Sequence, residues 1–224
     1  FDLCVIGSGP AGQKAAIQAS KLGKSVCVIE KREVVGGASV NTGTIPSKAL
    51  REAILQFAGR QSAMPRDADF KAARDATLAK IGASARNVIQ AEIEIVTRHM
   101  MQNGITLMSG AAAFKDPKTL EVTSSRSTSI VTADNFVIAV GTAPSRSAGV
   151  PFDNEDVITS DELLTLKEMP YSMIIVGGGV IGTEYASMLA VLGCKVTLVE
   201  GRARLLDFVD AEVTEALQYH LRQA

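Results

Sequence analysis

The first group of residues that could take part in chemistry is a glycine-rich turn near the start of the chain. Gly7-Ser8-Gly9-Pro10-Ala11-Gly12 follows a short apolar run, and Glu30 ends the next apolar run, 23 residues after Gly7. Gly7 permits a tight turn, Gly9 lets the backbone approach a pyrophosphate, and Gly12 lets a helix pack closely on a strand. The Glu30 carboxylate can accept hydrogen bonds from a ribose diol. The pattern predicts a strand, a turn and a helix that bind a dinucleotide.

The same unit recurs 170 residues later in the chain. Gly177-Gly178-Gly179-Val180-Ile181-Gly182 follows another strand-like run, and Glu200 ends the next one, again 23 residues after Gly177. Two copies with the same spacing between glycine and acid are far more specific than one copy. They predict two dinucleotide sites on one chain, and therefore chemistry between two cofactors.

A third candidate is the loop from Gly36 to Lys48, which follows the first unit. Thr42 and Thr44 supply hydroxyls, Pro46 suits the first turn of a helix, and Lys48 follows on that helix. Backbone amides gathered at a helix start suit an anion or a polarised ring. Taken alone, the loop is equally consistent with an ordinary glycine loop before a surface helix.

Composition narrows the classes of function. The 224 residues are 46% hydrophobic, which is ample for a buried core, and they contain no tryptophan and only 4% aromatic residues. The net charge is −1, and the 23 basic and 24 acidic residues form no long block of one sign. No apolar run of 18 residues and no signal-peptide pattern occurs. We therefore expect no nucleic-acid partner, no membrane partner and a cytoplasmic location.

The cysteines and histidines give no pattern of metal ligands. Cys4, Cys27 and Cys194 lie inside or beside apolar runs, without the short spacing that zinc sites show. We expect them to be inert core residues, in keeping with a reducing compartment. His99 and His220 have no ligand-spaced partners and are expected on helix surfaces. The sequence thus predicts no metal site.

The order of periodic segments predicts an α/β fold with two Rossmann-like domains. The first domain is predicted at residues 1–145 and the second, incomplete one at residues 146–224, with a linker rich in Pro and Gly between them. A small antiparallel excursion interrupts the first parallel sheet, and the turn from Ala139 to Thr142 follows its last strand. Further elements are predicted as helices at 48–57 and 70–102, separated by a break at Met64-Pro65-Arg66, and as strands at 105–108, 119–123, 129–131 and 135–140.

Four motifs carry a resemblance to a known family. GSGPAG, GGASVNTGTIPSK, VIAVGTAP and VGGGVIGTEYAS stand in the same order as in the flavoprotein disulfide reductase superfamily, and the resemblance covers essentially the whole chain. Within it, NTGTIPSKALRE and GVIGTEYASM are most similar to the soluble, Si-specific pyridine nucleotide transhydrogenases. The resemblance implies FAD and the nicotinamide nucleotides NAD and NADP as cofactors or substrates, and a homodimer or larger homo-oligomer for the intact protein.

The resemblance also implies roles for individual residues. Lys48 would lie near flavin N5, where a cation stabilises the reduced ring, and would approach Glu184 across the domain boundary. The expected FAD contacts are Gly7, Gly9, Pro10, Gly12, Glu30, Lys31, Gly37, Ala38, Thr42, Thr44, Lys48, Ala112, Ala139, Gly141 and Thr142. The expected NAD(P) contacts are Gly177, Gly179, Val180, Ile181, Gly182 and Glu200.

The loop departs from the superfamily at the two positions that matter for disulfide chemistry. Where the disulfide reductases carry CxxxxC, this chain carries Ser39 and Thr44. Neither hydroxyl can form a disulfide or supply a thiolate at neutral pH. Thr44 is the residue expected of a transhydrogenase, whereas Ser39 occupies a position at which the transhydrogenases usually have a cysteine. We interpret Ser39 as neutral drift at a position whose thiol has no partner; loss of activity is the alternative.

The choice between NAD and NADP stays open in the sequence. Glu200 favours the free 2′-hydroxyl of NAD and repels the 2′-phosphate of NADP, whereas Arg202 and Arg204 could bind that phosphate or be ordinary surface residues.

Three functions remain for the chain. They are hydride transfer between NADPH and NAD⁺, a dihydrolipoamide dehydrogenase-like NAD(P)H:acceptor oxidoreductase, and a non-catalytic nucleotide-binding module. The chain begins at Phe1 without Met and stops at Ala224, before the later flavin motif and the dimerisation domain of the superfamily. We therefore expect a trimmed fragment that binds FAD poorly and is inactive alone.

Overall fold

The computed structural model describes residues 1–58 and 70–223, so the predicted break at Met64-Pro65-Arg66 lies outside the described residues. No helix within those ranges is both long and apolar enough to cross a bilayer. In chain order the elements are β1 (Leu3–Ile6), α1 (Pro10–Lys21), β2 (Val26–Glu30), α2 (Gly37–Asn41), α3 (Thr44–Ala58), α4 (Phe70–Gln102), β3 (Thr106–Ser109), β4 (Ala111–Asp116), β5 (Thr119–Thr123), β6 (Thr128–Thr132), β7 (Asn135–Ile138), a 3-10 helix (Glu162–Thr165), β8 (Ser172–Val176), α5 (Val180–Val191), β9 (Lys195–Val199) and α6 (Ala211–Gln223).

The chain forms two compact units whose limits differ from the predicted domains. The first contains Phe1–Ser47 and Arg86–Phe152, and the second contains Lys48–Ala85 and Asp153–Ala224. The middle segment groups with the second unit because apolar residues of α3 and α4 pack with residues of α5 in one core. That core includes Leu50, Ile54, Ile81, Tyr185 and Leu189. The assignment of functional domains at 1–145 and 146–224 stays a prediction.

The first unit is built on a parallel sheet in the order β3-β2-β1-β7. Leu3 at the start of β1 pairs with Val26 of β2 on one side and with Asn135 of β7 on the other, and both pairings are parallel. Since α1 returns the chain from β1 to β2, the carboxyl ends of these strands meet at one edge. Ligands of open α/β sheets bind at such an edge, where neighbouring connections leave in opposite directions.

One face of this sheet is covered by a second, antiparallel sheet of β4, β5 and β6. Cys4, Cys27 and Ile29 pack there against Leu120 and Val122, and both cysteines are fully buried as predicted. The antiparallel excursion was predicted, but its first strand, β4, was not. Nearly all of β4 is exposed, so its sequence lacks the alternation of apolar and polar residues that marks a half-buried strand.

Helices cover the opposite face of the parallel sheet. Val5 and Val28 pack with Ala16 of α1 and with Val96 and Met100 of α4. Helix α4 has the predicted bounds, and Val88 on it is exposed although it stands two four-residue steps before the buried Val96. Helical spacing alone therefore does not decide which apolar residues of α4 are covered.

The second unit repeats the opening of the first, with β8 and β9 parallel and α5 between them in sequence. Met173 and Ile175 alternate with Ile174 and Val176 along β8, and only the first pair packs against the core. Cys194 is buried as predicted. A single 3-10 turn at Glu162–Thr165 precedes β8, and α6, which was not predicted, follows β9.

Candidate functional site

The first glycine turn has the close contacts that its sequence predicts. Gly7 has φ +103°, and its N–H donates to the carbonyl oxygen of Ile29 at 2.8 Å. A Cβ on Gly12 would lie 2.0 Å from the carbonyl oxygen of Gly7, so only glycine allows α1 to start so near β1. The turn therefore depends on backbone geometry that other residues cannot adopt.

The second turn has the same internal backbone contacts. Gly177 has φ +109°, and its N–H donates to the carbonyl oxygen of Val199 at 2.8 Å. A Cβ on Gly182 would lie 2.0 Å from the Gly177 carbonyl oxygen. A side chain near the start of each helix also donates to a turn carbonyl: Gln13 to Ser8 at 2.8 Å, and Thr183 to Gly178 at 3.3 Å.

Both turns present a helix N-terminus whose amides are not capped by a side chain. Gly9 and Gly179 are the N-cap residues of α1 and α5, both extended, and neither N-cap makes a side-chain hydrogen bond. No atom lies within 4 Å of a Cβ added to Gly179, so there is room beside this residue for the phosphate groups of a ligand. Free N–H groups and the positive end of the helix dipole together bind phosphate groups. Each turn can therefore accept a pyrophosphate.

Glu30 is held at the end of β2 by the turn itself. Its Oε2 accepts hydrogen bonds from the Ser8 N–H at 3.0 Å and from the Ser8 hydroxyl, while Oε1 accepts the Arg32 N–H at 2.9 Å. Burial raises the pKa of Glu30, but these hydrogen bonds outweigh burial and hold the pKa below its usual range. Glu30 is thus ionised and oriented, and Oε1 keeps a lone pair for a ribose hydroxyl.

The glycine-rich loop comes close to the first turn. The Ser8 hydroxyl accepts the Gly36 N–H at 3.1 Å, and a Cβ on Gly37 would lie 2.8 Å from the Gly9 Cα. Gly37 begins α2, so the backbones of two helix starts approach each other across these glycines. This arrangement forms a cradle of backbone amides in the first unit.

The other predicted FAD contacts of the first unit differ in where the structure places them. Ala139 is beside it, because a Cβ on Gly7 would lie 2.3 Å from the Ala139 carbonyl oxygen, and Gly141 follows with φ +66°. Ala112 instead pairs with Val122 in the antiparallel sheet. Among the rest, Pro10, Lys31, Ala38, Thr44 and Thr142 are exposed, and Thr42 is half-buried as the C-cap of α2.

Glu200 accepts backbone hydrogen bonds at the same positions as Glu30 does, and it also binds an arginine side chain. Its Oε2 accepts the Gly178 N–H at 2.7 Å and its Oε1 accepts the Arg202 N–H at 2.8 Å. The Arg202 guanidinium also binds both oxygens, Nε to Oε1 at 3.1 Å and Nη2 to Oε2 at 3.0 Å. The guanidinium, followed by the two backbone N–H groups, lowers the pKa of Glu200 to about 2.

Lys48 and Glu184 form an ion pair inside the second unit. The Lys48 ammonium, on the first turns of α3, donates to Glu184 Oε1 on α5. The predicted approach of these two residues is confirmed, and both belong to one compact unit. The pair borders a mainly apolar cavity of about 350 Å³, lined also by Val180, Leu217 and Leu221. A cation held beside an apolar cavity can stabilise negative charge on a bound ring.

Three residues at these sites were not predicted from the sequence. The Ser8 hydroxyl donates a hydrogen bond to Glu30 and accepts one from Gly36. Asp207 accepts a hydrogen bond from Nη1 of Arg202 at 2.7 Å. Tyr185 is buried next to Glu184 in the sequence. Burial, with the charges of nearby carboxylates, raises the pKa of Tyr185 to about 12. The signal for Ser8 was its place inside the first turn; nothing local in the sequence marks Asp207 or Tyr185.

Comparison with known proteins places the chain in a family. The model of the pyridine nucleotide-disulphide oxidoreductase family matches residues 1–224. Proteins named soluble pyridine nucleotide transhydrogenase are similar: one from Mycobacterium bovis is 49% identical over 99% of this chain, and one from Chromohalobacter salexigens is 43% identical over all of it. The chain spans 48% of the length of each of these two relatives.

Solved structures give the same result for the fold. The HOCl-induced flavoprotein disulfide reductase RclA from Escherichia coli is 27% identical, with a TM-score of 0.84 over the whole chain and 47% of its own. LpdA from Mycobacterium tuberculosis is 25% identical, with a TM-score of 0.83 over the whole chain and 50% of its own. On sequence and fold together, the chain belongs to the pyridine nucleotide-disulphide oxidoreductase family.

Proposed function

We propose that this protein is an FAD-dependent, Si-specific pyridine nucleotide transhydrogenase that moves hydride between NADPH and NAD⁺ without a redox disulfide. One observation carries the proposal. Two dinucleotide turns with the same geometry, centred on Gly7 and Gly177, lie on one chain whose intervening loop has Ser39 and Thr44 in place of cysteines. The names of its relatives support the same activity.

FAD is assigned to the turn of the first unit. The cradle fits the ADP part of FAD, because Gly9 and Gly37 bring backbone amides together and the oriented Glu30 carboxylate can accept a ribose hydroxyl. When bound, FAD supplies the ring that accepts and returns hydride. The nicotinamide nucleotides are assigned to the second turn, between Gly177 and Glu200.

The side chains of the protein position the reactants and supply charge. Lys48 carries a positive charge whose position Glu184 fixes through their ion pair. Such a charge favours negative charge that develops at a neighbouring ring during transfer. The three cysteines are buried, and none lies in the loop from Gly36 to Lys48. This part of the protein therefore has no thiol that could take part in disulfide exchange.

The decisive experiment measures two reactions of the full-length protein, purified with its flavin. We expect hydride transfer from NADPH to a spectrally distinct NAD analogue, and no NADH-dependent reduction of lipoamide. Gly179→Ala is the matched variant, since its added methyl group is expected to leave the fold intact and to obstruct the second turn; it should reduce transfer and keep bound flavin. Substantial lipoamide turnover would refute the proposal, and bound flavin without any transfer would favour a nucleotide-binding module. The homo-oligomeric state and the cytoplasmic location stay predictions.

A further inference from the structure

Arg202 is held by two carboxylates at once. Its Nε and Nη2 donate to Glu200 at 3.1 and 3.0 Å, and its Nη1 donates to Asp207 Oδ1 at 2.7 Å. All three guanidinium nitrogens are therefore engaged. The side chains of Arg202 and Asp207 are 52% and 42% exposed, so a ligand from solvent can reach the contact between them.

The position of Asp207 is fixed by the backbone around it. The N–H of Leu206 donates to the Gly178 carbonyl oxygen at 2.9 Å, and the N–H of Val209 donates to the Leu206 carbonyl oxygen at 2.8 Å. Leu206 has φ +47°, a left-handed conformation that turns the chain back over the glycine turn. The backbone that carries Asp207 is therefore ordered by these hydrogen bonds, and it places the Asp207 carboxylate next to Arg202.

The first unit has no such arrangement. Arg32 stands where Arg202 stands in the repeat, and its N–H donates to Glu30 in the same way, at 2.9 Å. Among the described residues, the guanidinium of Arg32 makes no hydrogen bond or ion pair. The residue equivalent to Asp207 is Gly37. The double pairing of Arg202 is therefore a specific property of the second turn and not a consequence of the repeated unit.

We propose that Asp207 determines coenzyme preference by competing with a 2′-phosphate for the charged Nη1 end of Arg202. The inference rests on the proposed function, because it requires a nicotinamide nucleotide at the second turn. Nε and Nη2 of Arg202 stay on Glu200 and offset its negative charge, while the Asp207 carboxylate at Nη1 offsets the remaining positive charge and repels a phosphate that approaches the same end. Asp207 therefore weakens binding of the 2′-phosphorylated coenzyme and leaves the other coenzyme nearly unaffected.

The test is direct binding rather than activity. Adenosine 2′,5′-bisphosphate and AMP, which differ only by the 2′-phosphate, are titrated calorimetrically into full-length flavin-loaded protein. Asp207→Asn should bind the bisphosphate about 2- to 5-fold more tightly than wild type, the range expected when an exposed ion pair no longer competes. Its affinity for AMP should change by less than about 2-fold. Asp207→Glu keeps the charge and is the matched control, expected to behave as wild type.

A double variant identifies the group through which Asp207 acts. If Arg202 is the group that binds the 2′-phosphate, Asp207→Asn combined with Arg202→Ala should lose the gain. The inference is overturned if Asp207→Asn binds AMP normally and the bisphosphate no more tightly than wild type. It is also overturned if the double variant keeps the gain. Failure of wild type to bind either nucleotide would instead refute the nucleotide site of the proposed function, and the inference with it.

Discussion

Two glycines of the second turn should separate folding from nucleotide binding when each is changed to alanine. Gly182→Ala places a Cβ 2.0 Å from the carbonyl oxygen of Gly177, a backbone atom that cannot rotate away. Gly179→Ala places a Cβ where no atom lies within 4 Å, at φ −75°, which alanine adopts freely. The first change should therefore disturb the fold, and the second should disturb only what binds beside it.

The size of each effect follows from these contacts. For Gly182→Ala, α5 must move away from the turn by roughly 1 Å to reach a tolerable contact, and overpacking of this kind costs about 1–3 kcal/mol. At about 2–4 °C per kcal/mol for a chain of this size, the melting temperature should fall by roughly 2–12 °C. Gly179→Ala loses only the preference for glycine over alanine at an N-cap, about 0.5 kcal/mol. Its added methyl group should weaken pyrophosphate binding by about tenfold or more.

The two variants are compared by thermal unfolding and by calorimetric titration with NADH and NADPH. Gly12→Ala is the matched control for the steric argument, because its Cβ would also lie 2.0 Å from a turn carbonyl, that of Gly7. It should be destabilised to a similar degree. The reasoning is refuted if Gly182→Ala has the same melting temperature as wild type. It is also refuted if the melting temperature of Gly179→Ala falls as far as that of Gly182→Ala while the variant binds both coenzymes normally.

Other predictions concern single side chains. Lys48→Met should lower the rate of transfer about 10- to 100-fold with little change in KM, whereas Lys48→Arg keeps the charge and most of the rate; an unchanged kcat for Lys48→Met would contradict the assigned role. Tyr185→Phe should raise the melting temperature by about 0–3 °C, because the buried Tyr185 hydroxyl has no hydrogen-bond partner among the described residues; a clear loss of stability would reveal a partner. Cys4, Cys27 and Cys194 should resist thiol reagents until the protein is denatured, and rapid native labelling would show an accessible thiol.

Much of the fold could be predicted because its signals are local. The bounds of β1 and β8, and the start of α5 after Gly179, follow from an apolar run, a glycine turn and a helical period that adjoin in sequence. Helix α4 was predicted to the residue because Asn103-Gly104 ends it and its apolar residues recur over many turns. Short elements with exposed surfaces, such as β4, carry no such periodic pattern.

The site was less predictable wherever a contact joins distant segments. The approach of Lys48 and Glu184 was inferred from a family resemblance, since nothing in either segment alone indicates it. Asp207 could not be assigned, because its role depends on a backbone turn at Leu206 that brings it back to Arg202. Acidic residues near a helix start are usually solvated or cap that helix, as Asp210 does for α6, so its type and place gave no distinguishing signal.

The repeated unit shows which part of the structure a local pattern determines. Backbone geometry is the same at Gly7 and Gly177, but burial is not: Cys4 and Ile29 are at most 1% exposed, whereas the residues 170 positions later, Ile174 and Val199, are 70% and 46% exposed. The cover in the first unit comes from β4, β5 and β6, and no antiparallel sheet follows β9 among the described residues. Core positions inferred from the repeat therefore hold for the strand face that packs on the unit's own helix. They do not hold for the face whose cover comes from another segment.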